Sequence, residues 1–177
     1  MITFKQALLI CMLGVSVGVA AEQFCYSSVP ETAAEDQFKK IDGGIAWHTV
    51  TNLMWMRCAI GQTWDGSDCL GEAQTYTWKE ALQLSVGYEF LGSKNWRLPN
   101  LKELNSITEQ ACVRPSVDEN VFSNTPSDDF WTSTPSGLDP TRAWVVAFFN
   151  SSTSIKQKDR SIYVRLVRTS LPEERDE

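Results

Sequence analysis

The sequence contains a single histidine, His48, among its 177 residues. One histidine excludes the HExxH zinc motif, and a glycine-rich phosphate-binding loop is also missing. No combination of serine, histidine and aspartate stands out as a catalytic triad. Because His48 lies where a strand meets a turn, we interpret it as a structural or solvated residue. We therefore expect that the protein is not an enzyme.

Long hydrophobic runs are absent too. The apolar run Ala7–Val19 has about 13 residues, which is too short to span a bilayer. Lys5 precedes this run and the small residues Val19-Ala20-Ala21 end it, which predicts a secretory signal peptide over residues 1–21, cut after Ala21 or Ala20. No other stretch is apolar enough to cross a membrane. We expect an exported protein, located in the periplasm, outside the cell or at the cell surface.

Positive charge is scarce. The formal net charge is −6, and it becomes −7 without the signal peptide because Lys5 is the only charged residue of that segment. Binding to nucleic acid or to a general polyanion requires a basic surface that neutralises negative charge. We therefore expect no nucleic-acid partner. The residues after the signal peptide contain no internal repeat and suffice for one domain.

Four cysteines follow the signal peptide. An even number in an exported chain predicts two disulfides, for which three pairings are possible. We favour Cys58–Cys69 because the segment between these residues is polar and rich in turn signals, and this choice leaves Cys25–Cys112. A zinc site is disfavoured because no CxxC pair occurs.

Two capping boxes predict helices. Thr77 and Glu80 mark the start of the first helix, and Asn100 and Glu103 mark the start of a second that runs to about Gln110. Apolar alternation or continuous apolar runs predict strands over residues 45–48, 50–57, 130–134, 143–149, 152–158 and 163–168. This order of elements, with strands first, then helices and loops, and then strands again, is typical of an α+β fold with an antiparallel sheet. The residues from Pro172 onward are expected to be unstructured.

The seven tryptophans divide by context. Five have apolar neighbours and are expected in the core, namely Trp55, Trp78, Trp96, Trp131 and Trp144. Trp47 and Trp64 have polar neighbours, so we expect both to be exposed and Trp64 to act as a ligand anchor. Arg97, Arg165 and Arg168 stand beside apolar residues, and we expect each to pair with a carboxylate.

Six short motifs occur in order along the chain: TNLMWMRC, GQTWDGSDC, TWKEAL, NWRLPNLKEL, FWTSTP and VRLVR. Together they resemble the Lcl C-terminal domain family, named from a collagen-like bacterial adhesin. The resemblance runs from Asp42 to Arg168, which places a domain at 42–169 between an N-terminal arm (22–41) and an acidic tail (170–177). It implies an exported bacterial protein with a disulfide-stapled variant of the C-type-lectin-like fold, containing two helices and a long loop region.

The sequence departs from the family pattern in places. Asn52 stands where the family usually has glycine, although asparagine tolerates the same positive φ. The family's adhesin is attracted to sulfated polymers, whereas this chain is acidic. The formylglycine-generating enzymes, a distant branch of the same fold, need a late pair of cysteines. No cysteine follows Cys112, so that chemistry does not carry over.

Candidate ligand residues lie late in the chain. A basic cluster and the loops near it border the face that the implied fold uses for ligands; with Trp64, these residues are Asp139, Thr141, Arg142, Asn150, Ser151, Lys156, Lys158 and Arg160. The alternative for the basic cluster is a solvated hairpin face. Carboxylates that could hold calcium are Asp65, Asp68, Asp128 and Asp129, although a plain turn explains the first two better. We expect no cofactor.

These features predict a non-catalytic recognition or adhesion-type domain that binds a surface glycan or a protein. The alternative is a periplasmic inhibitor or immunity-type protein that binds and blocks a partner enzyme, because the chain is small and acidic. The sequence leaves the ligand and the oligomeric state open.

Overall fold

The computed structural model describes residues 22–174. The predicted signal peptide at 1–21 and the last three residues, 175–177, lie outside the described residues. Within the described part, no helix is both long and apolar enough to cross a membrane.

Short strands and two short helices make up the fold. The strands, in chain order, are β1 (Phe24–Cys25), β2 (Phe38–Ile41), β3 (Ile45–His48), β4 (Leu53–Met56), β5 (Thr63–Trp64), β6 (Cys69–Leu70), β7 (Thr75–Tyr76), β8 (Cys112–Val113), β9 (Asp129–Pro135), β10 (Arg142–Ala147), β11 (Ser152–Gln157), β12 (Ile162–Tyr163) and β13 (Val167–Thr169). The helices are α1 (Trp78–Ser85) and α2 (Leu101–Asn105), and two 3₁₀ turns lie at Glu35–Gln37 and Pro172–Glu174. This content agrees with the predicted α+β class.

The first of two main sheets is antiparallel and joins the two ends of the domain, in the order β13-β4-β3-β2. Asn52 adopts φ 57° in the turn between β3 and β4, the conformation expected for this position. β4 begins at Leu53 rather than at Val50, because this turn occupies the residues before it.

The second sheet has the order β11-β10-β9-β12-β7. Its neighbours are antiparallel except β12 and β9, which meet in parallel at Tyr163 and Phe130. The predicted antiparallel pairing therefore holds for every described strand pair but this one, whereas the strands form two main sheets and not one. The closing segment 163–168, predicted as one strand, supplies β12 to this sheet and β13 to the other. Between them, Val164, Arg165 and Leu166 cross the buried centre of the molecule.

Both helices begin at the predicted capping boxes. In α2, the Glu103 backbone N–H donates to Asn100 Oδ1 at 2.9 Å and the Asn100 N–H donates to Glu103 Oε2 at 2.8 Å. Arg97 also forms a bidentate ion pair with Glu103, in which its two terminal nitrogens each donate to one carboxylate oxygen at 2.7 Å. The helix ends at Asn105 and not near Gln110, because the Ser106 hydroxyl bonds back to the Glu103 carbonyl and the chain continues in turns.

The tryptophans follow the prediction only in part. Trp55, Trp96 and Trp131 are buried as expected, whereas Trp78 and Trp144 are half-buried. Trp47 was expected to be exposed, yet only 8% of it is. It lies beside Met54 on one face of the first sheet, so its strand position outweighs its polar sequence neighbours.

Arg165 occupies the centre of the molecule and is fully buried. Its guanidinium donates to the carbonyls of Met56 and Arg57 and to Thr125 Oγ1, the last at 2.7 Å. The ring of Phe122 lies 4.8 Å from the guanidinium carbon. The expected carboxylate partner is therefore absent among the described residues, and neutral acceptors replace it. Burial lowers the pKa of Arg165 to about 9, so the group remains cationic at neutral pH.

The tail is ordered further than predicted. Arg168 pairs with Glu174 through two bonds, at 2.7 and 2.5 Å, which is the carboxylate partner expected for this arginine. Ser170 is buried, and its hydroxyl donates to the Asn52 carbonyl at 2.9 Å. The described tail residues therefore pack on the first sheet.

Two disulfides and a buried carboxylate fasten the loops and the N-terminal arm. Cys58 bonds Cys69, and Cys25 bonds Cys112, with Cα separations of 5.3 and 4.0 Å. This is the favoured one of the three possible pairings. The buried Glu109 accepts hydrogen bonds from the backbone N–H groups of residues 32, 33 and 111.

Removing the shorter disulfide should measurably destabilise the protein. In the double variant Cys58→Ser/Cys69→Ser, the free energy of unfolding should fall by about 2–3 kcal/mol, because the unfolded chain gains freedom. Urea unfolding under oxidising conditions measures the change, and the native protein with both disulfides intact serves as the comparison. An unchanged unfolding midpoint would contradict a stabilising role for this bond.

Arg165→Met should be one of the more damaging single substitutions. Its free energy of unfolding should fall by about 2–4 kcal/mol, because two buried carbonyls and one hydroxyl oxygen lose their donor. The matched control is Arg160→Met, since Arg160 is exposed and should change stability by about 0.5 kcal/mol or less. If both variants unfolded at the same urea concentration, the structural role of Arg165 would be refuted.

Candidate ligand-binding face

The β10–β11 hairpin carries most of the residues predicted to contact a ligand. β10 is an apolar central strand, and β11 pairs with it along its whole length, from Arg142 opposite Gln157 to Ala147 opposite Ser152. The predicted residues therefore fall at opposite ends of the hairpin. Those beyond the strand ends occupy loops, where binding residues are most often found.

The first end is a network that the sequence did not reveal. Asp139 accepts a bond of 2.6 Å from the Thr141 hydroxyl, and its other oxygen lies 3.2 Å from Arg142 Nε. The bonds from Thr141 lower the pKa of Asp139. Lys158 donates to the Pro140 carbonyl at 2.8 Å and lies 4.0 Å above the ring of Trp78. These polar groups are engaged with one another.

The second end holds Asn150 and Ser151. Ser151 has φ 59°, and its backbone N–H donates to Ser116 Oγ at 2.9 Å. Asn150 Oδ1 accepts from the Ser152 N–H at 3.2 Å. These two residues lie six strand positions from the Asp139 end, so the structure does not bring the two groups together.

Lys156 and Arg160 meet in an open polar cleft of about 370 Å³. Lys156 Nζ lies 2.9 Å from Asp129 Oδ2, and Asp128 also lines the cleft. The remaining wall residues are Thr75, Ser161, Ile162 and Tyr163. Arg160 is exposed, and its guanidinium has no ion-pair or hydrogen-bond partner among residues 22–174. The cleft thus places cations, carboxylates and hydroxyls within reach of one ligand.

Thr75 and Tyr163 are cleft residues that sequence reasoning missed. Thr75 arrives through the pairing of β7 with β12, which joins segments far apart in the chain. Local pattern gives no sign of this pairing. For Tyr163 one signal exists, since it is the only hydroxyl-bearing residue in the closing segment 163–168.

Trp64 lies elsewhere, on the β5–β6 hairpin. The guanidinium carbon of Arg57 sits 3.9 Å above its ring, and the ring also packs against Gly44. One edge of Trp64 lines a separate groove with Tyr88 and Phe90. Its ring faces are largely used within the domain, so it is half-buried rather than a fully exposed anchor.

The candidate calcium residues are held in turns or ion pairs. Asp65 accepts bonds from the N–H groups of Ser67 and Asp68 at 2.8 and 2.7 Å, and these bonds lower the pKa of Asp65. Asp129 pairs with Lys156, and Asp128 accepts from the Asp129 N–H. Across residues 22–174, no group of three or more His, Cys, Asp or Glu is placed to hold a metal ion.

His48 is buried in β3 and has neighbours typical of a core histidine. Its ring stacks on Phe38 with 4.6 Å between centroids, and Nδ1 lies 2.9 Å from the Thr51 hydroxyl. Burial lowers the pKa of His48, so the ring is neutral at neutral pH. No carboxylate touches it within the described chain, which favours the structural interpretation.

The comparison with known proteins agrees with the motif order. No curated protein matches the chain. The model of one family, the Lcl C-terminal domain, matches residues 44–168, which covers the second main sheet, the first main sheet except β2, both helices and the polar cleft. Because this match spans most of the chain, the protein belongs to the Lcl C-terminal domain family.

Proposed function

We propose that this protein is an exported, non-catalytic recognition domain with a C-type-lectin-like fold, and that it binds a surface glycan or protein through the polar cleft. Membership of an adhesin-related family supports binding as the function. The two disulfides fit an oxidising compartment outside the cytoplasm. The sequence pattern of residues 1–21 supplies the export signal.

One observation carries the assignment of the cleft: the free guanidinium of Arg160 lies beside the Lys156–Asp129 pair. Sugar hydroxyls both donate and accept hydrogen bonds, so a glycan site needs donors and acceptors side by side. The guanidinium and Lys156 donate, the two aspartates accept, and the hydroxyls of Thr75 and Tyr163 do either. A polar protein loop could pair with the same set of donors and acceptors.

A different observation favours the alternative, an inhibitor or immunity-type protein that blocks a partner enzyme. Phe24 and Tyr26 are 56% and 50% exposed, and their rings meet edge to face at 4.8 Å. The Cys25–Cys112 bond lies between them and fixes their position. Exposed, rigid aromatic residues are common anchors of protein interfaces.

The double variant Lys156→Ala/Arg160→Ala tests the cleft. Loss of two charged donors should weaken binding of a ligand found by glycan array, or by capture from bacterial envelopes, by about tenfold or more. Lys94→Ala is the matched control, because Lys94 is an exposed lysine paired with Glu89 outside the cleft. Unchanged affinity in the double variant, with thermal stability preserved, would refute the cleft as the binding site.

The same measurements separate the two functions. A glycan that binds the native domain and not the double variant supports recognition of a surface sugar. A blank array together with a single protein partner of nanomolar affinity, lost on Phe24→Ser/Tyr26→Ser, would overturn the glycan function and support the inhibitor.

A further inference from the structure

A row of four side chains crosses the first sheet from one edge to the other. Register pairs Lys39 with Trp47, Trp47 with Met54, and Met54 with Arg168. Residues paired across neighbouring strands lie on the same face of a sheet. Lys39 and Arg168 therefore place a cation at each end of the row, with the indole of Trp47 and the thioether of Met54 between them. None of these four residues lines the polar cleft.

This row lines a groove of about 480 Å³. The other lining residues are Lys40, Ile41, Asp42, Ile45, Leu91 and Glu174. Trp47, Met54 and Ile45 give the groove an apolar floor, and Lys39 and Arg168 place a positive charge at each end of the row. Lys39 has no ion-pair partner within the described chain, while its Nζ sits 5.0 Å from the centre of the Trp47 ring.

Two buried donors of the row lack an acceptor. Neither Trp47 Nε1 nor Arg168 Nε has a hydrogen-bond partner among residues 22–174. The two residues are only 8% and 6% exposed, and buried N–H groups are nearly always paired in folded proteins. Other buried N–H donors of the described chain also lack a hydrogen-bond partner, on Trp55, Arg142 and Arg165, but only Trp47 and Arg168 line this groove, where a ligand can bring the acceptors.

The chain itself shows which acceptor Arg168 takes. Glu174 places its carboxylate on both terminal nitrogens of Arg168, and the Leu171 N–H donates to the same carboxylate at 2.7 Å. These bonds lower the pKa of Glu174, so it remains ionised. Glu174 belongs to a single 3₁₀ turn, Pro172–Glu174, at the end of the described chain.

We infer that the groove is a second binding site, that it takes a carboxylate joined to an apolar body, and that Glu174 is a built-in competitor for it. The ligand's carboxylate replaces that of Glu174 at Arg168 and accepts from the unpaired donors, while its apolar body lies against Ile41 and Leu91, the accessible apolar side chains of the lining. A free organic acid and the carboxyl end of a peptide share this chemistry.

The indole N–H signal of Trp47 reports directly on the groove. We would record ¹⁵N spectra of the folded domain, residues 22–177, assigning this signal by its loss in Trp47→Phe. Phenylacetate and the tripeptide Ala-Ala-Phe are the probes, each beside its neutral amide. The acids should shift the Trp47 signal in a saturable way and the amides should not, and the tighter acid identifies the source of the ligand.

Variants test the competitor and the charge. Glu174→Gln should bind phenylacetate about tenfold more tightly if the native pair is closed nine-tenths of the time. Lys39→Gln should weaken binding, and Lys94→Gln, an exposed lysine outside the groove, should leave it unchanged. Thermal melts verify that each variant is folded.

Three results would overturn the inference. The first is that neither acid changes the chemical shift of the Trp47 indole signal, in the native protein or in Glu174→Gln. The second is an equal response to acid and amide, since the carboxylate would then not be recognised. The third is unchanged phenylacetate affinity in a folded Glu174→Gln variant, which would remove the competitor role.

Discussion

The buried guanidinium of Arg165 is the interaction on which the rest of the structure depends. It binds the carbonyls that end β4 and, on its other side, Thr125 in the long loop region. A cation without a carboxylate is costly to bury unless other acceptors replace it. The planar fork of arginine brings its two terminal nitrogens to three fixed acceptors, while Nε has no partner among residues 22–174. Arg57 strengthens the same junction by donating to the carbonyls of Val121 and Asn120. The first sheet and the loop region are thus joined by arginine–carbonyl bonds.

This junction explains why the closing segment serves two sheets. Residues 164–166 are buried and cross between β12 and β13, with backbone bonds from Met56 and Ile60. Each sheet then keeps one surface of its own. The second sheet carries the polar cleft with its free arginine, and the first carries the groove with an apolar floor and two cationic ends.

Local chemistry made part of the fold predictable. The capping boxes located both helix starts because their bonds connect residues only three apart, and Asn52 takes the positive φ that its turn requires. Predictions that depended on distant contacts fared less well. Trp47 was assigned to the surface from its sequence neighbours, but burial is set by the strand face and by what packs on it. Arg165 was expected to have an acidic partner, although its acceptors come from segments 40 and about 108 residues away.

The sequence by itself determined the family, the α+β class and the chemistry of the candidate residues, because ordered motifs and local hydrogen bonds are written in short segments. Only the tertiary structure decided which of those residues meet. It separated Asn150 and Ser151 from Asp139, brought Lys156 beside Asp129, and aligned Lys39, Trp47, Met54 and Arg168 in one row. The physical reason is that strand register and chain crossings place side chains together, and both are fixed by packing between segments remote in sequence.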